Sequence, residues 1–289
     1  MSGEPVGEAS PGGLLLIDKP AGITSHDAVA RVRRALGVRK VGHSGTLDPA
    51  ATGLLLIGVG RATRLLRFLG DLPKAYEGRG VLGVETDTLD AAGTVVRKTA
   101  VEVADRDLIA AMQRLTGDIE QIPPAYSAVK VGGERLYRAA RRGEPVEAAP
   151  RRVHVSSFDL VRFESPAFDF QVRCSSGTYV RSLVADVGHE LGCGAHLANL
   201  RRTAIGPFLV EAATPPGEPG QLLALDRAVE HLSAVTLHDE EARVAVHGCC
   251  LGPAGIAGPY RAIAPDGRLI GIYRDQGTKA VPEVILAPA

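Results

Sequence analysis

The chain has 289 residues, of which 45% are hydrophobic and 23% charged, and its 33 basic side chains balance 33 acidic ones. This composition is typical of a folded globular protein and argues against global disorder. No apolar run reaches the roughly 20 residues of a membrane-spanning helix, the first residues lack the features of a signal peptide, and the four cysteines lack zinc-ribbon spacing. We therefore expect a soluble, cytoplasmic protein with reduced thiols.

The first 60 residues predict a tail, a strand, a helix and an unusual loop. Residues 1–11 are expected to form a flexible tail, and the apolar run at 14–17 predicts a buried strand. Residues 24–27 have the spacing of a capping box, which predicts a helix that ends at Gly37. A loop rich in glycine and polar residues follows at 42–53. Three basic residues lie largely off the apolar stripe of the helix: Arg31, Arg33 and Arg34.

The rest of the chain predicts further strands and helices, because the segments between turn-forming clusters have apolar residues at either strand or helix spacing. In chain order these are a strand at 75–84, turns at 86–93, a helix at 105–115, two strands at 153–174, a helix at 179–191 capped by 175–178, a short element at 195–200, a helix near 221–232 and a small β module from about 235.

Basic residues are unevenly distributed along the chain. Residues 1–205 hold 27 basic and 23 acidic side chains, whereas residues 206–289 hold 6 and 10. Residues 121–152, which we call the thumb segment, contain seven basic and three acidic side chains around Pro123-Pro124 and Gly132-Gly133. A positive, loop-flanked segment is a candidate clamp for a polyanion, although a solvated helix would have the same composition.

The loop at 42–53 is the strongest candidate for chemistry. Asp48 precedes a proline, which restricts its backbone, and a carboxylate on such a loop can act as nucleophile, general base or metal ligand. From the pattern alone, the favoured interpretation is that Asp48 caps the following turn, with catalysis second. A phosphate-binding loop is the third option, but the segment lacks a GxxxxGK(S/T) motif. His43 is more typical of a hydrogen-bonding residue than of a ligand. Residues 86–90 are typical of a structural turn, and residues 177–181 are a candidate anion site at a helix start. Arg201-Arg202 is most simply interpreted as a solvated face.

The segment from Gly42 to Gly53 resembles the catalytic motif of the bacterial tRNA pseudouridine synthase B family. The resemblance extends in order over roughly residues 13–205, and such a set of motifs is highly specific. The other matching segments are 16–22, 24–27, 74–76, 82–88, 123–130, 174–181 and 192–202.

This resemblance implies an isomerase that converts uridine 55 in the T-loop of tRNA to pseudouridine after flipping the base out. It implies that Asp48 is the catalytic carboxylate, that Arg181 pairs with it, and that Tyr76 stacks on the target uracil. The reaction needs no redox cofactor, ATP or metal. The resemblance assigns further roles to four residues: Tyr179 and Leu200 line the nucleotide pocket, His43 inserts into the T-loop, and Lys19 braces the pocket wall.

The family also implies an α+β fold class, with a mixed, mainly antiparallel sheet flanked by helices and a small C-terminal β domain. We expect a catalytic domain at 12–232, including the thumb segment, and a PUA-like module at 235–289. The expected partner is the T-stem-loop of tRNA, without a membrane, a guide RNA or an obligate protein partner. Two other classes stay open: an RNA-binding protein without catalysis, and an Asp-nucleophile hydrolase.

Overall fold

A computed structural model of the protein describes residues 12–127, 129–144, 146 and 148–286; the expected tail at 1–11 lies outside these residues. The helices are α1 (Ser25–Leu36), α2 (Leu66–Gly70), α3 (Asp105–Arg114), α4 (Leu136–Arg141), α5 (Val180–Glu190), α6 (Leu225–Ala228) and α7 (Asp239–Ala245), with short 3-10 helices at Gly60–Arg64 and Val210–Ala212.

The strands, in chain order, are β1 (Gly13–Lys19), β2 (Val41–Ser44), β3 (Thr52–Val59), β4 (Lys74–Leu82), β5 (Val84–Thr86), β6 (Val95–Lys98), β7 (Gly117–Gln121), β8 (Lys130–Val131), β9 (Glu134–Arg135), β10 (Arg151–Glu164), β11 (Ala167–Cys174), β12 (Ala195–Ile205), β13 (Phe208–Leu209), β14 (Ala234–Thr236), β15 (Pro259–Ile263), β16 (Leu269–Gln276) and β17 (Lys279–Ile285).

The main sheet has the strand order β1-β3-β12-β4-β11-β10-β7, with β2 paired to β3 and β13 paired to β12. Its pairs are antiparallel except for β3 with β12, which run parallel over two residues. The sheet is therefore mixed but mainly antiparallel, and the predicted α+β fold class is confirmed.

One row of side chains crosses the middle of this sheet. Lys19 of β1 pairs with Gly53 of β3, Gly53 with Arg202 of β12, Arg202 with Tyr76 of β4, and Tyr76 with Val172 of β11. Because residues directly opposite one another point to the same face, these five positions share one face of the sheet. Three of them carry polar groups and are nevertheless buried, so this row is an unusual place in the core.

Helices α1, α3 and α5 cover the same face. The apolar side of α1 packs on Ile17 and Leu55. These two residues lie two positions from Lys19 and Gly53 along their strands, so they are on the same face of the sheet. Helices α3 and α5 pack on the β4, β10 and β11 side. The opposite face of β1 and β3 packs instead against α2 and against the C-terminal sheet. In the described residues, no helix is long and apolar enough to cross a membrane.

A second sheet of four strands, in the order β14-β15-β16-β17, forms the C-terminal part of the chain. It has an apolar core of its own on one side, beneath α7. On its other side Ile272 and Val284 belong to the same core as Leu14 and Leu54 of the main sheet. The two sheets are thus joined by a continuous apolar layer.

Several predicted elements are confirmed, and three need correction. The expected helix near 221–232 shrinks to α6, because Leu223 exchanges backbone hydrogen bonds with Leu14 of β1 and keeps the preceding chain extended. The short element at 195–200 is the first half of β12, which continues through its pairing with β4. Helix α5 starts after Tyr179 without a side-chain cap, since the Thr178 hydroxyl donates to the Ser175 carbonyl at 3.0 Å instead.

Candidate active site

Asp48 lies in the connection between β2 and β3, which we call the Asp48 loop (residues 45–51). The loop is held from the side of α1: the Leu47 amide donates to the Ser25 hydroxyl at 2.9 Å, and that hydroxyl contacts the Leu47 carbonyl at 3.2 Å. The Pro49 carbonyl accepts from the Gly22 amide at 2.9 Å. Buried polar contacts of this kind restrict the loop on both sides of Asp48.

The Asp48 carboxylate meets the guanidinium of Arg181. Arg181 Nε lies 3.0 Å from Asp48 Oδ2, and the two side chains differ sharply in exposure, at 6% for Arg181 and 46% for Asp48. The pair therefore has a fixed, buried cation beneath a carboxylate that remains open to solvent. Such a contact orients the carboxylate.

The other nitrogens of Arg181 contact two further segments. Nη1 donates to the Thr88 carbonyl at 2.9 Å and lies 3.4 Å from Asp90 Oδ2, and Nη2 donates to the Tyr126 carbonyl at 2.9 Å. The planar guanidinium suits such divergent acceptors, because its donors have fixed directions. Arg181 thereby joins the Asp48 loop, the turn at 86–90 and the start of the thumb segment.

Asp90 is a site residue that the sequence reasoning missed. Residues 86–90 form the expected turn, but the preceding residue, Leu89, has a φ of 62°, a conformation that is costly for a side chain of this kind. One Asp90 oxygen accepts from the Thr88 hydroxyl at 2.6 Å and the Ala92 amide at 3.1 Å, and the other faces Arg181. The strained turn thus aims a second carboxylate at the same guanidinium.

Arg202 lies beside Tyr76 on the shared row of the sheet. Its Nε donates to the Leu54 carbonyl at 2.7 Å and its Nη2 to the Gly45 carbonyl at 3.3 Å, so it bridges the two ends of the Asp48 loop. Burial raises the pKa of the Tyr76 hydroxyl, while the nearby Arg202 guanidinium acts in the opposite direction. The Tyr76 phenol is therefore uncharged at neutral pH.

The expectation that Arg201-Arg202 forms a solvated face is wrong. Arg202 is fully buried, and the half-exposed Arg201 pairs with both carboxylate oxygens of Asp18 at 3.0 and 2.7 Å. The reason is topological: β12 runs between β3 and β4, so a pair of arginines that looks exposed in sequence reaches both faces of a central strand.

Lys19 supports the Asp48 loop from below. Its side chain is fully buried, and Nζ donates to the carbonyls of Pro20, Ile23 and Pro49 at 2.9, 2.8 and 3.2 Å. Burial lowers the pKa of this ammonium, while Asp48 acts in the opposite direction. Its contacts connect the end of β1 to the residue that follows Asp48.

His43 lies on β2, at the entrance to the Asp48 loop. Its ring makes an edge contact with His26 of α1, with ring centres 5.2 Å apart, and its buried Nδ1 has no hydrogen-bond partner among the described residues. Burial lowers the pKa of His43, and His26 contributes in the same direction. His43 therefore lies on the strand that leads into the Asp48 loop.

Tyr179 directly precedes α5, the helix that carries Arg181, and Leu200 lies on β12, the strand that carries Arg202. The Tyr179 amide donates to Gln121 Oε1 at 2.7 Å, and Gln121 Nε2 donates back to the Tyr179 carbonyl at 3.1 Å. Leu200, on β12, packs against the core that contains Tyr76 and Leu47. The structure thus brings Asp48, Arg181, Tyr76, Lys19, His43 and Leu200 together around one loop. Tyr179, two residues before Arg181 on the chain, instead has its contacts with Gln121.

Gln121 is another residue that the sequence did not single out. It is buried at the end of β7, where the thumb segment begins, and its amide forms a two-way clamp with the start of α5. Among the described residues, no group of three or more His, Cys, Asp or Glu side chains is arranged to hold a metal ion.

Comparison with known families places this geometry in context. Residues 33–180 match the TruB family pseudouridylate synthase N-terminal domain. Residues 181–215 match the tRNA pseudouridylate synthase B C-terminal domain, and residues 232–287 match the tRNA pseudouridine synthase II C-terminal domain. Together these matches cover most of the chain, including both sheets.

Full-length relatives agree with the domain matches. A Rhodococcus jostii protein named tRNA pseudouridine synthase B is 48% identical over 288 residues, which cover 96% of this chain and 94% of the relative. A Thermobifida fusca protein with the same name is 46% identical over 288 residues, covering 95% and 98%. The chain in a crystal structure of a Cbf5-Nop10-Gar1 complex has a TM-score of 0.73 and 26% identity, covering 95% of this chain and 84% of that chain.

Proposed function

The chain belongs to the TruB family of pseudouridylate synthases, and on this premise we propose that it converts uridine 55 in the T-loop of tRNA to pseudouridine with Asp48 as the catalytic carboxylate. Its curated relatives are named tRNA pseudouridine synthase B. The observation that carries the assignment of the site is the 3.0 Å contact between a buried Arg181 and a half-exposed Asp48.

The reaction rearranges one nucleotide without adding or removing atoms overall. The bond between C1′ of the ribose and N1 of uracil breaks, the base turns, a bond forms between C1′ and C5, and the proton on C5 is lost while N1 gains one. A carboxylate can assist by attacking C1′, by removing a sugar proton to form a glycal, or by adding to C6 of the base. All three routes need an ionised carboxylate that reaches the nucleotide.

In our proposal, Arg181 holds the Asp48 carboxylate in the orientation in which it can reach the nucleotide. Its buried guanidinium contacts one Asp48 oxygen through Nε, and its other two nitrogens contact two carbonyls and Asp90. The second Asp48 oxygen stays available to a substrate. A carboxylate that is oriented before the substrate arrives needs little reorganisation during the reaction, and this preorganisation is a large source of catalysis.

The target uridine has to leave the stacked loop before its C1′–N1 bond can meet Asp48. Extrusion of a base costs a few kcal/mol, which contacts in the enzyme pocket offset. We propose that Tyr76 stacks on the extruded uracil, since aromatic rings suit this contact, and that its hydroxyl is a candidate to take the C5 proton. Tyr179 and Leu200 line the pocket, His43 enters the T-loop, and Lys19 braces the pocket wall through the Asp48 loop.

The thumb segment is proposed to close on the RNA. It leaves the body of the protein at Gln121, next to Arg181, and carries a short helix, α4, whose basic residues Arg138 and Arg141 follow Arg135. We assign it, within residues 12–232, to a catalytic domain, and residues 235–289 to a PUA-like module. The acidic balance of the C-terminal part favours a module that braces the catalytic domain.

We further propose that the enzyme acts on tRNA alone, without a guide RNA or an obligate protein partner. Related chains are found in complexes with Nop10 and Gar1, but the full-length bacterial relatives carry the name of a tRNA enzyme. The proposal requires that the purified chain modify an unmodified tRNA transcript with no other macromolecule present.

Asp48→Asn tests the proposal directly. This variant keeps the shape of the side chain but removes its charge, so we expect pseudouridine formation on tRNA transcript to fall at least about 1,000-fold, while the Kd for tRNA stays within about threefold. Asp159→Asn is the matched control, because Asp159 is exposed on β10. Turnover that survives in Asp48→Asn disproves the role of Asp48, and tRNA binding without any pseudouridine from the unaltered chain supports an RNA-binding protein instead.

A further inference from the structure

A cluster of basic residues lies on α1 and on the turn that leads to β2. Between Ala28 and Leu47 the chain has five Arg or Lys residues and no Asp or Glu. All five residues are exposed. Four of them, on α1 and on the turn that follows it, are called the basic ledge: Arg31, Arg34, Arg39 and Lys40. The fifth, Arg33, is held by the Val41 carbonyl at 2.6 Å and is not included.

The basic ledge differs from most exposed arginines in the protein. Within the described ranges of the chain, none of its four side chains forms a salt bridge, whereas Arg106, Arg162, Arg227 and Arg268 each lie beside a carboxylate. The nearest acidic residue in sequence, Asp27, accepts hydrogen bonds from the amide and hydroxyl of Thr24 at the start of α1. Hydrogen bonds from Thr24 and, to a smaller extent, the charge of Arg31 lower the pKa of Asp27, so the uncompensated charge of the ledge is mainly that of Arg34, Arg39 and Lys40.

The ledge is connected to the candidate site through α1. The buried side of this helix packs on the sheet face that carries Lys19, Arg202 and Tyr76, and its first residue, Ser25, holds the Asp48 loop through Leu47. From Ser25 the twelve residues of α1 rise roughly 18 Å. The ledge therefore lies along α1 and the turn after it, beyond the residue that holds the Asp48 loop.

We propose that the basic ledge binds the phosphate backbone of tRNA outside the target nucleotide. This inference rests on the proposed function, which places an RNA at Asp48. Exposed guanidiniums without carboxylate partners are suited to phosphates, and the ledge lies in the half of the chain that has an excess of basic residues. Together with the thumb segment it gives the RNA two positive surfaces, one carried by α1 and one by α4.

The test replaces all four ledge residues: Arg31→Gln, Arg34→Gln, Arg39→Gln and Lys40→Gln. The matched control removes the same number of charges from paired arginines: Arg106→Gln, Arg162→Gln, Arg227→Gln and Arg268→Gln. For each protein, the Kd for unmodified tRNA is measured over a series of KCl concentrations, together with KM and kcat for pseudouridine formation. A third protein carries lysine at the three arginine positions of the ledge and keeps its charge.

The ledge variant is expected to raise Kd and KM at least tenfold, with a much smaller change in kcat. The slope of log K against log salt should fall by about 3, since each lost phosphate contact contributes roughly 0.7 to 0.9. The control should stay within about twofold of the unaltered chain, and the lysine protein should keep most of the affinity. Because the ledge side chains are exposed, thermal unfolding should be unchanged.

Two results overturn the proposal: equal losses of affinity in the ledge variant and the control, or an unchanged Kd and salt slope in the ledge variant. A third result distinguishes failure of the proposed catalytic function from failure of the proposed role of the ledge. If the unaltered chain forms no pseudouridine on any tRNA but the ledge variant still loses tRNA affinity and salt dependence, the ledge stands and the catalytic assignment fails.

Discussion

Arg181 connects more of the site than any other side chain described above. Its guanidinium contacts Asp48, Asp90 and the backbone carbonyls of Thr88 and Tyr126, which belong to three separate loops. The charge alone does not define this role, because the directions of the donors are as important as their number. A cation of a different shape should therefore keep the charge balance but lose the geometry.

Arg181→Lys tests this distinction. The single ammonium of lysine cannot reach Asp48 and the carbonyls of both flanking loops at once, so the carboxylate should lose its fixed orientation. We expect kcat for pseudouridine formation to fall roughly 100-fold or more, a size typical of losing one preorganised polar contact in an active site. The Kd for tRNA should change much less. Single-turnover kinetics on a tRNA transcript measure the first value, and filter binding measures the second.

The control is Arg79→Lys. Arg79 makes a two-point pair with Asp169 at 2.6 and 2.8 Å, but this pair lies on β4 and β11, away from the Asp48 loop. It should alter kcat by less than about twofold. Equal activity of Arg181→Lys and the unaltered chain would show that charge alone suffices at this position.

Individual residues show where the sequence could predict the site and where it could not. Asp48 and Arg181 lie in sequence motifs of the family, so the resemblance predicts their roles. Asp90 and Arg202 looked like a turn residue and a solvated residue, because nothing local in the sequence tells that Leu89 adopts a positive φ or that β12 lies between two other strands. Burial of a charged side chain depends on partners that are distant in sequence.

At the scale of elements, the end of the Asp48 loop is fixed by a close approach of two strands. Gly53 of β3 faces Arg202 of β12, and a Cβ atom at Gly53 would lie 2.3 Å from the Arg202 carbonyl oxygen and 2.7 Å from its amide nitrogen. Both are backbone atoms that cannot turn away. The φ of Gly53 is 100°, which also disfavours a side chain.

Gly53→Ala should therefore separate β3 from β12 and disturb the loop between them. We expect a loss of more than about 3 kcal/mol in the free energy of unfolding, because overpacking against backbone adds to the 1–2 kcal/mol of left-handed strain. Urea unfolding followed by circular dichroism measures it. Gly37→Ala is the control: Gly37 also has a positive φ, but nothing lies within 4 Å of its Cβ position, so it should lose only the strain. Equal losses in the two variants would rule out the steric argument.

Local signals predicted some elements well and others poorly. Helix α1 has the capping box at Thr24 and the left-handed Gly37 that the sequence indicated, because both ends depend on neighbouring residues. The expected helix at 221–232 depends on a distant element, since Leu223 pairs with Leu14 of β1. The segment has helical periodicity, but its first residues form backbone hydrogen bonds with β1 and are therefore extended.

At the scale of the whole molecule, the C-terminal sheet shares an apolar core with the main sheet. Three arginines of the segment after β3 donate to the end of the chain: Arg61 to the Leu286 carbonyl at 2.9 Å, Arg64 to the Ile285 carbonyl at 2.5 Å, and Arg67 to the Glu283 carbonyl at 3.1 Å. The same segment adjoins β2, since the Leu66 carbonyl accepts from the Ser44 hydroxyl at 3.1 Å. The C-terminal strand is thus linked to the strand that carries His43.

This arrangement predicts that damage to the C-terminal sheet destabilises the whole protein. Ile272 of β16 is fully buried in the core shared with Leu14 and Leu54, so Ile272→Ala should lower the free energy of unfolding by about 2–5 kcal/mol. Calorimetry should show a single transition at a lower temperature, and pseudouridine formation should be lost at that temperature. Leu209→Ala is the control, because Leu209 is exposed. A separate early transition that leaves the activity intact would mean that the two sheets unfold independently.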